Sequence, residues 1–163
     1  MRFLTVFSLL LVAVTMATSL AHALEWPGKR RLGEAAYKTT QAIYYPGFTF
    51  GGLFGEFGGM IALAVLLSLT PTGTSRFWWT AGALLLMSAA HTVYWLMTHP
   101  INNFWVKDVA TSAAGSAFFS TFSSTQTGDW TELRDAWERS HAVRACLHVL
   151  ALIAIAMATS LFP

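Results

Sequence analysis

Apolar residues gather into four runs, at about residues 3–25, 48–69, 76–98 and 136–162, with polar connections between them. Each run is long enough to cross ~30 Å of hydrocarbon as a helix rising 1.5 Å per residue. The pattern predicts an all-α protein, an integral membrane four-helix bundle forming one domain over residues 1–163. The first run has a second reading. Arg2, the apolar stretch behind it and the Ala21-His22-Ala23 triplet also fit a cleaved signal peptide, whereas the length of the run favours a retained span.

The connections carry their own signals. Pro27-Gly28 predicts the end of the first helix, and residues 33–44 a short surface helix closed by Tyr45-Pro46-Gly47. Thr70 to Thr74 reads as a tight turn. Pro100 disfavours helical geometry at His99, so His99 to Trp105 reads as a helix end folded into a polar turn bearing Asn102 and Asn103. Residues 106–128 read as a connector, or a lid, across the bundle mouth, with Phe118, Phe119 and Phe122 dipping inward. Asp129 with Glu132 resembles the capped start of the last helix.

Composition sharpens this picture. Of the 163 residues, 55% are hydrophobic and 11% charged, against about 25% charged in a soluble domain. A bilayer is therefore the expected surrounding. The net charge of +2 is too small to argue for nucleic acid. The single cysteine, Cys146, has no internal disulfide partner and builds no metal pattern, and reads as a small packing residue.

Polar residues inside the runs are the informative ones, because an ionisable group in hydrocarbon needs a partner or water. Trp137, His141, Arg144 and His148 follow i, i+4, i+7, i+11 and share one helical face. His91, Trp95 and His99 recur at i, i+4, i+8, and Asn102 extends that face if the helix runs on. Glu56 has no basic residue three or four positions away, so its partner must come from another helix. Gly51, Gly55 and Gly59 form a double GxxxG stripe that lets another helix approach closely, in this chain or in another membrane subunit.

Four antiparallel spans bring these groups together. His22 and Glu25, Glu56, the His99–Asn102 turn, and Trp137, His141 and Arg144 all fall at one end of the bundle, with His91 and His148 about 10–12 Å deeper. That end also holds Lys29, Arg30, Arg31, Lys38, Lys107, Arg134 and Arg139, while the other has Arg2 and Arg76. The excess of positive charge predicts a multi-pass protein with the polar end in the cytoplasm and both termini outside.

Three stretches together resemble the anthrone oxygenase-like family of small four-helix membrane proteins. They are the HALEWPGK run from His22 to Lys29, the HPINNFW turn from His99 to Trp105, and the W-x3-H-x2-R pattern of Trp137, His141 and Arg144. The resemblance covers most of the chain. It implies oxidation of an anthrone by dioxygen without a recognised cofactor, and it carries over to Asn102, Trp137, His141 and Arg144. His91, His148 and Glu56 are candidates on the residue pattern alone.

The chemistry that follows is proton abstraction from an acidic methylene. His141 or His99 would be the base, Arg144 and Asn102 would stabilise the developing oxyanion, and Trp137 and Trp95 would stack on a flat ring. Glu56 and His91 complete the expected pocket for a small lipophilic substrate. A metal or haem held by some of the five histidines with Glu56 is a second reading, although no pair has the H-E-x-x-H spacing. A non-catalytic accessory subunit, docked through the Gly51/Gly55/Gly59 face, is a third.

Overall fold

The computed structural model describes residues 1–44, 47–106, 117–118 and 129–161. Among them there is no strand, and the described residues are arranged mainly as five helices. Helix α1 is Arg2–Lys29 and α2 is Glu34–Tyr44. Helix α3 runs Gly47–Gly52, widens into a π turn at Leu53–Phe57 and continues as Gly58–Ser68. Helix α4 runs Ser75–Val93, widens at Tyr94–Thr98 and continues as His99–Val106. Helix α5 is Trp130–Ser160. All but α2 are long and apolar enough to cross a membrane.

The four long helices form a closed up-and-down ring: α1 on α3, α3 on α4, α4 on α5 and α5 back on α1. The α1–α5 seam shows why they mesh. From Thr5 to His22 the buried positions on α1 are Thr5, Ser8, Val12, Thr15, Ser19 and His22, alternating steps of three and four. On α5 they include Trp137, His141, Arg144, His148, Ala151, Ile155 and Ala158, with the same alternation. A 3–4 alternation keeps each seam facing its partner in left-handed packing. Small side chains suit such a seam where helices associate by close contact. The α1 hydroxyls add no unpaired groups. Thr5, Ser8, Thr15 and Ser19 each donate to the carbonyl four residues earlier.

The glycine stripe is used inside the chain. A β-carbon on Gly55 would lie 2.6 Å from Thr15 Oγ1 and 3.2 Å from the Thr15 backbone nitrogen, and one on Gly51 would lie 3.1 Å from Thr18. These glycines therefore seat α3 directly on α1. Below this contact lies an apolar core of Val12, Leu63, Leu66, Ala83, Met87, Ala151, Ala154, Ile155 and Ala158. Cys146 is exposed rather than packed.

Two prolines do not stop their helices. Pro27 lies within the last turn of α1, so that helix reaches Lys29 instead of ending at Pro27-Gly28. Pro100 lies within α4, which continues to Val106 instead of folding into a turn. For Pro100 the physical reason is the π turn immediately upstream. A proline removes one backbone donor and crowds the carbonyl four residues back, and the wider Tyr94–Thr98 turn relieves that crowding. The third run is correspondingly longer than residues 76–98, and α5 begins near residue 130 rather than 136. Asp129 caps α5, accepting from the Thr131 backbone nitrogen at 3.2 Å and the Thr131 hydroxyl at 2.7 Å. The Thr131 hydroxyl bond holds the exposed Asp129 carboxyl below its ordinary value.

Between α3 and α4, Gly73 adopts φ 79°, and Thr74 accepts from the Phe77 backbone nitrogen to cap α4. Of the expected connector over the bundle mouth, Phe118 is described, its ring 5.2 Å from His99 and 6.0 Å from Trp95. Phe119 and Phe122, like the Tyr45-Pro46 closure of α2, lie outside the described residues.

Candidate functional site

The polar end is built around three linked groups. The first starts at Glu56, in the π turn of α3. Its Oε2 accepts from Arg144 Nη2 of α5 at 2.6 Å, and its Oε1 is 3.2 Å from His91 Nδ1 of α4. His91 Nε2 in turn accepts from Trp95 Nε1 at 2.8 Å. An imidazole nitrogen that accepts carries no proton, so this geometry assigns His91 as neutral, with its hydrogen on Nδ1 and directed at Glu56. The Arg144 guanidinium also lies 5.0 Å from the Tyr94 ring centre. Glu56 and Arg144 are both buried. Removing two charges from water is costly, and only a close, well-partnered pair offsets the loss.

The second group is a chain of side-chain bonds between α5 and the upper part of α4. Trp137 Nε1 donates to Asn102 Oδ1 at 2.8 Å, Asn102 Nδ2 donates to the Tyr94 hydroxyl at 3.4 Å, and that hydroxyl is 3.1 Å from His99 Nδ1. The Asn102 oxygen thus links α4 to α5, while its nitrogen bonds back to Tyr94 within α4. The wide turn at Tyr94–Thr98 places Tyr94 between Asn102 and His99. A second α4–α5 link, Thr98 Oγ1 to Ser140 Oγ at 2.8 Å, lies alongside.

The third group joins α1, α2 and α5. The His22 ring centre is 4.3 Å from that of His141, 5.1 Å from Trp137, and 4.7 Å from both Tyr44 and Phe48. Trp137 and His141 are themselves 4.2 Å apart. Lys29 is 4% exposed. Its Nζ lies 3.3 Å from each of His22 Nδ1, Glu25 Oε2 and Glu138 Oε1, and 4.7 Å from the Tyr44 ring centre. Helix α2 closes this end: Tyr37 donates to Glu138 at 2.8 Å, and Tyr44 donates to Glu25. Burial, then the Glu138 carboxylate, pushes the Tyr37 phenol far above its ordinary value. Burial, then the bond to Glu25, does the same for Tyr44. Both phenols stay neutral donors at any working pH.

The candidates taken from the sequence thus meet. Glu56, His91, Trp95 and Arg144 form one group, Asn102, His99 and Trp137 another, and Trp137 with His141 leads into the third. The expected acidic or amide partner of Arg144 is Glu56. His148 lies deeper and pairs through Nδ1 with Ser19 Oγ at 2.8 Å. His141 stands apart. It is 6% exposed, and neither of its ring nitrogens has a hydrogen-bond partner among the described residues.

Sequence reasoning missed Tyr94, Lys29, Glu138 and Tyr37. Lys29 reads as an interfacial cation until His22, seven residues earlier, is seen to share its helical face. Glu138 is three residues before His141 and so lies on the same side of α5. That spacing was the available signal. A shallow apolar groove lined by Leu4, Phe7, Leu11, Phe54, Ile61 and Val65 lies away from this polar end, on the outer face of α1 and α3. Among the described residues, no three His, Cys, Asp or Glu side chains are grouped to hold a metal ion. No family model, curated protein or solved structure matches the chain.

Proposed function

We propose that the chain is a multi-pass membrane protein whose polar end faces the cytoplasm and oxidises a small lipophilic aromatic bearing an acidic methylene, in the manner of the anthrone oxygenase-like family. One observation carries the reading: a buried imidazole, His141, with both nitrogens uncommitted, one helical turn from the Arg144 guanidinium. Buried polar groups in proteins normally find partners, and those that do not are candidates for chemistry.

The reaction balances as R2CH2 + O2 → R2C=O + H2O. His141 takes a proton from the methylene. The resulting enolate oxygen is stabilised by the nearby cationic and N–H donors. The carbanion gives one electron to dioxygen, and the radical pair collapses to a peroxide that recovers the proton from His141. Loss of water then leaves the ketone. Trp137 and Trp95 supply flat apolar surface for the ring. The Trp137–Asn102–Tyr94–His99 chain holds the two helices that carry the site.

The test is oxygen consumption by the purified protein in detergent with an anthrone as substrate. His141→Ala should lose about a hundredfold or more in kcat while keeping its helical circular dichroism. Full activity of that variant would sink the assignment. Loss of a visible absorption band or of a bound metal on the same substitution would favour the metal or haem reading. Recovery of the protein only with a stoichiometric partner would favour the accessory-subunit reading.

A further inference from the structure

The same end holds a second imidazole whose state the geometry fixes. Lys29 Nζ lies 3.3 Å from each of His22 Nδ1, Glu25 Oε2 and Glu138 Oε1, the first a hydrogen bond and the other two ion pairs. An ammonium has three N–H bonds and no lone pair. With two carboxylates and two aromatic faces about it, at 4.7 Å for Tyr44 and 5.5 Å for Trp137, Lys29 is that ammonium. An ammonium can only donate, so the hydrogen bond it makes to His22 Nδ1 requires that nitrogen to be bare. His22 is then a neutral imidazole carrying its hydrogen on Nε2. The other groups packed on this ring are Tyr44, Phe48, Trp137 and His141.

We infer that His22, held as the Nε2–H form by Lys29, is a catalytic hydrogen-bond donor to the oxygen on which charge develops, with Lys29 as its positioning residue and His141 as the base beside it. The inference rests on the reading of this end as an oxidation site. It divides the work between two imidazoles with ring centres 4.3 Å apart. One has both nitrogens without a partner among the described residues and accepts the proton. The other is committed by Lys29 to being a donor. A neutral imidazole suits the second role, because it polarises an oxygen without surrendering its proton. No proton leaves His22 in the reaction, and the one taken from substrate goes to His141 and returns to the peroxide.

The experiment has a spectroscopic arm and a kinetic arm. In protein labelled with 15N-histidine, the His22 signals are identified by their loss in His22→Gln. Wild-type His22 is expected to show a protonated Nε2 and a bare Nδ1. Lys29→Met should mix the two tautomers and lower kcat for an anthrone by about tenfold or more, with KM held. The double variant Lys29→Met with Glu138→Gln also removes the buried one of the two carboxylates that lose the ammonium, and should behave likewise if the single variant folds poorly. His22→Gln, which keeps an N–H donor, should retain more turnover than His22→Leu. A wild-type His22 protonated on Nδ1, or on both nitrogens, overturns the inference. So does a Lys29→Met protein with scrambled tautomers and unchanged kcat. A wild-type protein inert toward anthrones removes the oxidation reading itself, and the donor's use with it, whichever tautomer the spectrum shows.

Discussion

The two ends of the bundle solve the same burial problem differently. Around Val12, Leu63, Met87 and Ile155 the interior is apolar, and the hydroxyls on the α1 seam bond to carbonyls of their own helix. The α1 hydroxyls of that half are satisfied locally. At the other end several central polar groups depend on a residue far away in the chain: Glu56 on Arg144, Tyr37 on Glu138, Trp137 on Asn102 and His148 on Ser19. A locally satisfied core tolerates change in one helix at a time. A cross-linked one does not, because removing either partner strands the other. The stranded group, rather than the lost bond, sets the cost.

The largest effect should come from Glu56→Leu, which leaves a buried guanidinium without its carboxylate. The expected loss is about 3–5 kcal/mol, read as a fall in thermal midpoint on the order of 10 °C in detergent. Glu56→Leu combined with Arg144→Met should regain much of it, since neither charge then remains. A double variant no more stable than the single one would show that the pair does not act as a unit. In the apolar half, Met87→Ala should cost about 2 kcal/mol through the cavity it opens, and should leave kcat for an anthrone unchanged. A changed kcat would mean the two halves are coupled. The smallest effect is expected for Asn102→Ala, about 1–2 kcal/mol, because the Trp137 indole nitrogen and the Tyr94 hydroxyl each lose a partner. Its check is a shift in Trp137 fluorescence alongside the melting curve, and an unmoved emission would place the Trp137–Asn102 bond in doubt.

Much of this was legible in the sequence. The four helices follow from the apolar runs, because length and composition alone determine which segments can span hydrocarbon. The face shared by Trp137, His141, Arg144 and His148 follows from a fixed helical period. Glu56 announced its need for a distant partner by having no base on its own helix. Three features were hidden. A π turn is a shift of one residue in hydrogen-bond register, and neither Leu53–Phe57 nor Tyr94–Thr98 carries a composition that marks it. The passage of α4 through Pro100 depends on that turn, so local rules end the helix too early. Lys29 lies in a run of basic residues that looks solvated. Its burial comes from α2 folding back over it, which is a tertiary event.

The Glu56–Arg144 pair spans 88 positions of the chain. Its consequence lies in the order of synthesis. In a bilayer, α3 would arrive carrying an acid whose partner had not yet been made, and would have to wait through the making of α4 and the connection after it. Until α5 entered, Glu56 would have only His91 to share its charge with. Helix α5 would therefore act as the closing step for this pair. It would bring the guanidinium, His141 and the Trp137 link in a single insertion, so that the bundle and its polar end would be completed at the same moment.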